Sequence, residues 1–514
     1  MSLMATATDI DGVVVVLLDS LNRHLLPAWG GTEFDTPQID RLAASSVVFD
    51  NHHVGSLPCI PARHDLMVGA LDFLWRPWGS IEVWEEAVTA ELRREGVTSV
   101  LISDHPHLFE TGGENYHTDF SAWEYLRGSE NDPWRTRPDL SSIGTPALPA
   151  MPAAVHRAYD DSRTWFSDEA DFPGPRTMAS AAEWLKRDAP HHDRFLLVVD
   201  EFDPHEPFDT PEPWASRYDP DWEGPRLIWP PYAVDAVARG VVTERELAHL
   251  RANYGSGLSM IDHWFGRILD AVDELEATGK RVALMLCTDH GLYLGERDLL
   301  GKPGAPLWPE MSRIPLMVRW PGVPAGRCSA LTTTVDIHAT ICDVFGVSPS
   351  HRVDGRSMRG LVDGTATSIR DHLLAGYWSR HVHYVDAEWT FTRSATGDGF
   401  PLAMWSNRWS SMPIHHAVPG YRFPRPDARA TLEVHPGTGV PVIRQPWGPG
   451  DQLPYWAMGM PIDDHHLHHT VDEERTVNLV GDDRRRDADV LERLRSALVD
   501  VGAPIEQFER LGIA

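Results

Sequence analysis

Val13-Val14-Val15-Val16-Leu17-Leu18, closed by Asp19, is the stretch on which the fold turns. Six apolar residues in a row, with no polar alternation, predict a strand buried on both faces. Similar runs recur at Ser99–Ile102, Phe195–Val199, Val282–Cys287 and Ile314–Val318. Between them the apolar spacing predicts helices. One starts at Thr36-Pro37, with Thr as N-cap and Pro in the first turn, and another covers Glu82–Glu95 and stops at Gly96. Others lie around Thr177–Lys186, over Thr243–Leu275 and from Asp336 to Phe345. This alternation of two-sided strands and helices predicts an α/β fold with a largely parallel central sheet covered by helices on both faces. Ligands bind at the carboxyl ends of such strands. Asp19, Asp203, His205, Asp289 and His290 all follow strand-like runs, so one shared site is expected there.

A chain of 514 residues exceeds one ordinary core, and the pattern changes near residue 370. We read residues 1–370 as a catalytic α/β domain and 371–514 as a smaller C-terminal α+β domain. His381–Val385 and Trp389–Thr392 look like short antiparallel strands, followed by Pro- and Gly-rich loops over 418–454 and a helix over Ala488–Val501. Segments 104–175 and 203–240, rich in Trp, Pro and Asp, are candidates to line a substrate cleft. The pairs His191-His192 and His465-His466-Leu467-His468-His469 read as surface or crevice features and are assigned no metal.

Hydrophobic residues make up 42% of the chain, with 20 Trp and 16 Phe, which fits a packed globular enzyme and excludes a disordered chain. No apolar run reaches the ~20 residues of a membrane span. The net charge of −29 argues against nucleic acid or an anionic membrane as partner. An anionic substrate therefore needs a local cationic site. Val13–Leu18 has neither the basic flank nor the cleavage site of a signal peptide, so a cytoplasmic location with reduced thiols is expected. The four cysteines form no Cys-x-x-Cys pair, which leaves a zinc ribbon or thioredoxin-like site without support.

The most specific segment is Cys59-Ile60-Pro61-Ala62-Arg63, ahead of a helix-like run ending at Gly69. A cysteine at a helix mouth, four residues before an arginine, feels the helix dipole and a cation, and could be a low-pKa thiolate. Read alone, it is more readily a buried cysteine before a helix. The segment resembles the Cys-x-Pro-x-Arg signature of the sulfatase family in the alkaline phosphatase superfamily, whose cysteine is oxidised to formylglycine. Further motifs follow in that family's order: Thr36-Pro37-Gln38-Ile39-Asp40-Arg41-Leu42, Asp203-Pro204-His205-Glu206-Pro207-Phe208, Thr288-Asp289-His290-Gly291 with Gly301-Lys302, Arg313-Ile314-Pro315-Leu316 and Asp354-Gly355-Arg356-Ser357.

The resemblance implies an alkaline phosphatase-like fold and a definite site. Asp19, Asp289 and His290, with an oxygen on modified Cys59, would bind one divalent cation, Ca²⁺ first, with Mg²⁺ or Mn²⁺ also compatible with such ligands. Arg63 would hold the formylglycine hydrate, Lys302 would neutralise the bound ester, and His205 would protonate the leaving oxygen. One hydrate hydroxyl would attack sulfur in line; loss of a proton from the other would then expel sulfate and restore the aldehyde. A formylglycine-generating enzyme is implied as a transient partner, the substrate is a small anionic ester, and a homo-oligomer is compatible with the sequence.

The sequence also departs from the pattern. Ser20 stands where many sulfatases carry a second acid, Val68 replaces the usual Thr, and His64-Asp65 after Arg63 are atypical. The family's sulfate-gripping Lys-x-His segment should fall near Ser103-Asp104-His105-Pro106-His107, where no lysine occurs, so His105 and His107 are the candidates. Phosphonate monoester hydrolases, close formylglycine-dependent relatives, also lack that lysine. The expected function is sulfate monoester hydrolysis; the alternatives are phosphonate monoester or phosphodiester hydrolysis on the same site, or a binding protein with unmodified Cys59.

Overall fold

The computed structural model describes residues 10–136, 157–413, 421–423, 425–436, 438–457 and 464–514. Its centre is an eight-stranded sheet in the spatial order Gly326–Thr333, Val47–His53, Leu316–Arg319, Val282–Cys287, Gly12–Leu18, Phe195–Glu201, Thr98–Ser103, Ala122–Tyr125. Every neighbouring pair is parallel except those made by Leu316–Arg319, which runs antiparallel to both its neighbours.

Gly12–Leu18 shows why the uninterrupted apolar run was needed. Val14, Val16 and Leu18 face one core, shared with Leu258, Ile261 and Phe265 of the helix Glu244–Ala277. Val13, Val15 and Leu17 face the other, shared with Ile60, Leu66 and Met67 of the helix Cys59–Val68 and with Ile337 and Ile341 of the helix Val335–Phe345. Each such side chain contributes about 1.5–3 kcal/mol on burial, and a polar replacement would meet no partner on either face.

Three helix expectations are corrected. The helix Pro37–Ala43 is not capped by Thr36, whose side chain makes no cap hydrogen bond. The carboxylate of Asp262, from the middle of Glu244–Ala277, accepts from Gln38 N (3.1 Å) and Ile39 N (2.7 Å) instead. The helix expected over Glu82–Glu95 is only Val88–Arg94. Glu82 and Glu85 are drawn off into ion pairs with Arg76 (3.1 Å) and His64 (2.8 Å), which holds the preceding segment in turns. The helix around Thr177–Lys186 begins earlier, at Pro173, and runs to Arg187. The long helix is Glu244–Ala277, with Thr243 and Glu246 forming a reciprocal capping box.

A second sheet joins His372–Tyr377, Val382–Asp386, Trp389–Arg393 and His466–His469 to the two-residue strand Ser56–Leu57. Gly376 pairs with Ser56 and Tyr377 with Leu57 in parallel. This ties the later part of the chain to the residues just ahead of Cys59. A third sheet holds Leu402–Ser406, Pro441–Trp447 and Thr431–Val434. The helix Arg484–Asp500 packs on the second sheet, where Val490, Leu494, Ala497 and Leu498 cluster with Leu374, Val382 and Phe391. Of the loop expectations, residues 137–156 of segment 104–175 and residues 418–420, 424 and 437 of segment 418–454 lie outside the described residues. Among the described residues no helix is long and apolar enough to cross a membrane, and all four cysteines are free.

Candidate active site

The parallel register brings the chemistry-bearing residues to one edge. Leu17 pairs with both Asp200 and Cys287, and Leu18 with Glu201. Asp19, Asp200, Asp289 and His290 therefore emerge at one level at the strands' carboxyl ends. Cys59 opens the helix Cys59–Val68, all ten residues of which are buried, and points its first turn at the same edge. Gly69 ends that helix at φ +77°, and a Cβ there would lie 2.3 Å from His338 Nδ1. The unusual pair His64-Asp65 has structural work here. Asp65 accepts from Ser56 N (2.6 Å) and Ser56 Oγ (2.7 Å), fixing the strand before Cys59, while His64 binds Glu85.

One donor atom each from Asp19, Cys59, Asp289 and His290 lies within 4.8 Å of the others, and all four residues are buried. Burial alone would raise the Asp19 carboxyl, but His205, Arg63, His105 and His290 together hold it well below the usual range. Asp19 Oδ2 is approached by Arg63 Nη2 (3.0 Å) and His105 Nε2 (3.3 Å), yet takes a directed hydrogen bond from neither. Asp289 Oδ1 accepts from Ser20 N (3.0 Å) and His290 N (2.8 Å), which fixes its plane. Ser20, the departure from the family pattern, hydrogen-bonds Asp19 Oδ1 through its hydroxyl (2.8 Å). His290 Nδ1 donates to the Gly291 carbonyl (2.9 Å), so its Nε2 lone pair faces Cys59 Sγ at 3.3 Å. A carbonyl that fixes the tautomer is the usual support for a metal-binding imidazole. Two carboxylates, one imidazole and an unsatisfied buried oxygen fit a divalent cation.

Arg63 is fully enclosed by acids. It forms a two-pronged pair with Asp200 (Nε and Nη2, both 2.7 Å), reaches Asp289 Oδ2 (2.8 Å) and donates to the Cys59 carbonyl (3.1 Å). Of the two readings of the unmodified Cys59, the structure favours the buried cysteine over the low-pKa thiolate. Burial first, and then the nearby Asp19 and Asp289, push the thiol well above its ordinary value, outweighing Lys302 and Arg63. An unmodified Cys59 is a neutral thiol and a poor nucleophile.

Lys302 faces Cys59 Sγ at 3.7 Å and donates to His205 Nε2 at 2.7 Å. Burial lowers the lysine, but the groups packed around it, the Glu206 and Asp19 carboxylates among them, push it well above its ordinary value, so it is an ammonium. His205 Nδ1 donates to the Glu206 carbonyl (2.7 Å), leaving Nε2 to accept from Lys302. Of the two histidines at the Lys-x-His position, His105 sits beside Asp19 as a neutral ring, lowered by burial and then by Arg63. His107 is different. It is gripped by Glu110 at Nδ1 (2.5 Å) and by Glu130 at Nε2 (2.9 Å), and these acids overcome burial and raise it to about 10. It is a cation with both ring nitrogens engaged.

Sequence reasoning missed Asp200, Glu110 and Glu130. Asp200 could have been found, since it ends the apolar run Phe195–Val199 just as Asp19 ends its own. Asp203, expected at the shared edge, instead donates its backbone N–H to Glu201 Oε1 (3.0 Å) and is raised to about 7 by burial.

The sulfatase family model matches residues 12–347. The chain belongs to the sulfatase family. Among sulfatase relatives, it is 24% identical over 412 residues to a choline-sulfatase of Rhizobium meliloti (74% of this chain, 78% of that protein). It is 25% identical over 428 residues to the multifunctional alkaline phosphatase superfamily protein PehA of Trinickia caryophylli (70% and 78%). In fold it is similar to the phosphonate monoester hydrolase of Agrobacterium radiobacter, with a TM-score of 0.65 at 17% identity over 96% of each chain. The alkaline phosphatase-like fold read from the sequence is the one observed, and the family makes the protein a hydrolase.

Proposed function

We propose that this sulfatase-family hydrolase cleaves sulfate monoesters with a formylglycine made from Cys59 and one divalent cation held by Asp19, Asp289, His290 and the modified side chain. The observation that carries the reading is the buried four-donor cluster at the start of the Cys59 helix, with Lys302 beside Cys59 and His205 beside Lys302. Oxygen-rich ligation favours Ca²⁺, with Mg²⁺ and Mn²⁺ also accommodated. When present, the cation stabilises charge on the non-bridging ester oxygens and the aldehyde hydrate supplies the attacking hydroxyl.

The protein's own residues do the rest. Arg63, locked by Asp200, holds position 59 through its carbonyl and keeps Asp19 and Asp289 in register. The Lys302 ammonium meets the anionic ester. His205, held 2.7 Å from the Lys302 ammonium, would act as general acid to the leaving oxygen. His105 lies beside Asp19 as a neutral ring. His107 adds positive charge to the wall without a free N–H.

A second reading, a phosphonate monoester or phosphodiester hydrolase on the same site, is favoured by one observation: the Lys-x-His position offers no lysine, and both nitrogens of His107 are taken. Mass spectrometry of the peptide containing Cys59, with metal analysis, tests the shared chemistry. The aldehyde form should be about 18 Da lighter than the thiol. The ratio of kcat/KM on 4-nitrophenyl sulfate to that on a 4-nitrophenyl phenylphosphonate then separates the readings. An intact thiol in active enzyme would sink both.

A further inference from the structure

The turn between His372–Tyr377 and Val382–Asp386 carries a buried cation that the site chemistry leaves unused. Arg380 is 8% exposed, and its Nε and Nη1 have no hydrogen-bond partner among the described residues. It forms no ion pair there either. This sets it apart from the other deeply buried arginines. Arg63 and Arg76 are each held by three carboxylates, and Arg510 donates to Gln507, Ser379 and Arg380 backbone or side-chain oxygens. Arg380 has only an aromatic face: its guanidinium carbon lies 4.7 Å from the centroid of the Tyr377 ring. A buried guanidinium without an anion is costly, and sites that carry one generally complete it with a ligand.

Tyr377 supplies the second observation. It is 2% exposed, and its hydroxyl also has no partner among the described residues. Its strand pairing places it beside Leu57, two residues before Cys59, and it packs in one cluster with Leu57 and Tyr293. The turn thus lies beside the strand that leads into Cys59 and carries unsatisfied donors: the N–H groups of two guanidinium nitrogens and one phenol O–H.

We propose that Arg380 and Tyr377 form an oxyanion subsite beside the reacting centre, which takes a second anionic group of the substrate, so that the preferred substrate is a dianionic ester carrying a carboxylate or a second sulfate. The substrate class rests on the hydrolase reading above; the subsite itself does not. A planar guanidinium and a phenol match the two oxygens of a carboxylate or two of a sulfate. In a chain of net charge −29, such a group would be repelled everywhere except at a built cationic pocket.

The test uses two unreactive probes, 4-sulfobenzoate and benzenesulfonate, titrated calorimetrically into the purified full-length protein, beside turnover of 4-nitrophenyl sulfate, its 3-carboxy analogue and a phenyl disulfate. A charge-assisted contact predicts that the wild type binds the dianion roughly ten- to hundredfold more tightly than the monoanion. Arg380→Met should erase that preference while leaving benzenesulfonate binding and 4-nitrophenyl sulfate turnover near wild type. Arg380→Lys should restore part of it, and Tyr377→Phe should weaken it several-fold. The carboxy and disulfate arms show which anion the subsite takes. No dianion preference in the wild type, no binding of either probe, or an equal loss on both probes with a lowered Tm in Arg380→Met each overturns the proposal. A thiol at position 59 or absent sulfatase turnover would sink the hydrolase reading instead, and the probe ratio would still report on Arg380.

Discussion

Replacing His205 by alanine should leave a leaving-group signature whose size can be worked out in two parts. The first part is uniform. Lys302 is buried and loses the acceptor it holds at 2.7 Å. A hydrogen bond to a charged group is worth about 1.5–3 kcal/mol, so misplacement of the ammonium should cost roughly ten- to a hundredfold on every substrate. The second part depends on the substrate. General acid catalysis contributes about 10²–10⁴-fold when the departing oxygen needs a proton, and little when it does not. Across a series of substituted phenyl sulfates, the variant should therefore lose roughly tenfold with 4-nitrophenol leaving, and a further hundredfold or more with phenol or an alkyl alcohol. The assay is kcat/KM across the series, plotted against leaving-group pKa, with a steeper slope expected in the variant. A parallel downward shift of the whole line would refute the acid role of His205 and leave it as a prop for Lys302.

Asp289→Ala should abolish turnover and empty the cluster, read as a fall in bound metal by elemental analysis; retained metal would remove Asp289 from the ligand set. A chelator should likewise inactivate the enzyme, with Ca²⁺ restoring activity better than Zn²⁺ if the donor set is read correctly. The His64 imidazole, against the pull of burial, is raised to about 9 by Asp72 and Glu85. Its contribution, on the order of 3 kcal/mol, is present in full below the unfolded value near 6.5 and is lost as pH rises through 9. The Tm of the wild type should thus fall more between pH 6.5 and 9.5 than that of His64→Gln, and equal falls would contradict it. Gly69→Ala forces a left-handed residue with its Cβ against His338, which should cost about 2–4 kcal/mol and lower the Tm by on the order of 2–4 °C by calorimetry. An unchanged Tm would mean His338 yields freely.

What the sequence disclosed follows from the range of the interactions involved. Val13–Leu18 declared its burial because both faces of a central strand must be apolar, and the carboxyl-end rule then located Asp19, Asp289 and His290 together. The direction of Leu316–Arg319 was not legible, since an apolar strand reads the same either way. Thr36 looked like a cap because capping is usually local; here a carboxylate 226 positions away in the chain (262 − 36) took the task, and nothing in the local spacing could disclose it. The choice between a thiolate and a buried thiol at Cys59 was only partly legible for a similar reason. A helix dipole and an arginine are visible in sequence, whereas complete burial beside Asp19 and Asp289 is not. Glu110 and Glu130 turn His107 from a free ligand into a fixed cation, and Arg380 looks in sequence like any surface arginine until its burial is known.

If Cys59 is converted to formylglycine as proposed, the pairing of Ser56–Leu57 with Gly376–Tyr377 bears on when that can happen. The thiol is 2% exposed in the finished molecule, so an oxidising enzyme would have to act before this strand is sewn in. The partner strand leaves the ribosome about 320 residues after Cys59, which at roughly 5–20 residues per second gives an interval on the order of 15–60 s. Chains that miss this interval would fold with an inert thiol inside, and the active fraction of a preparation would be set by a race between synthesis and oxidation.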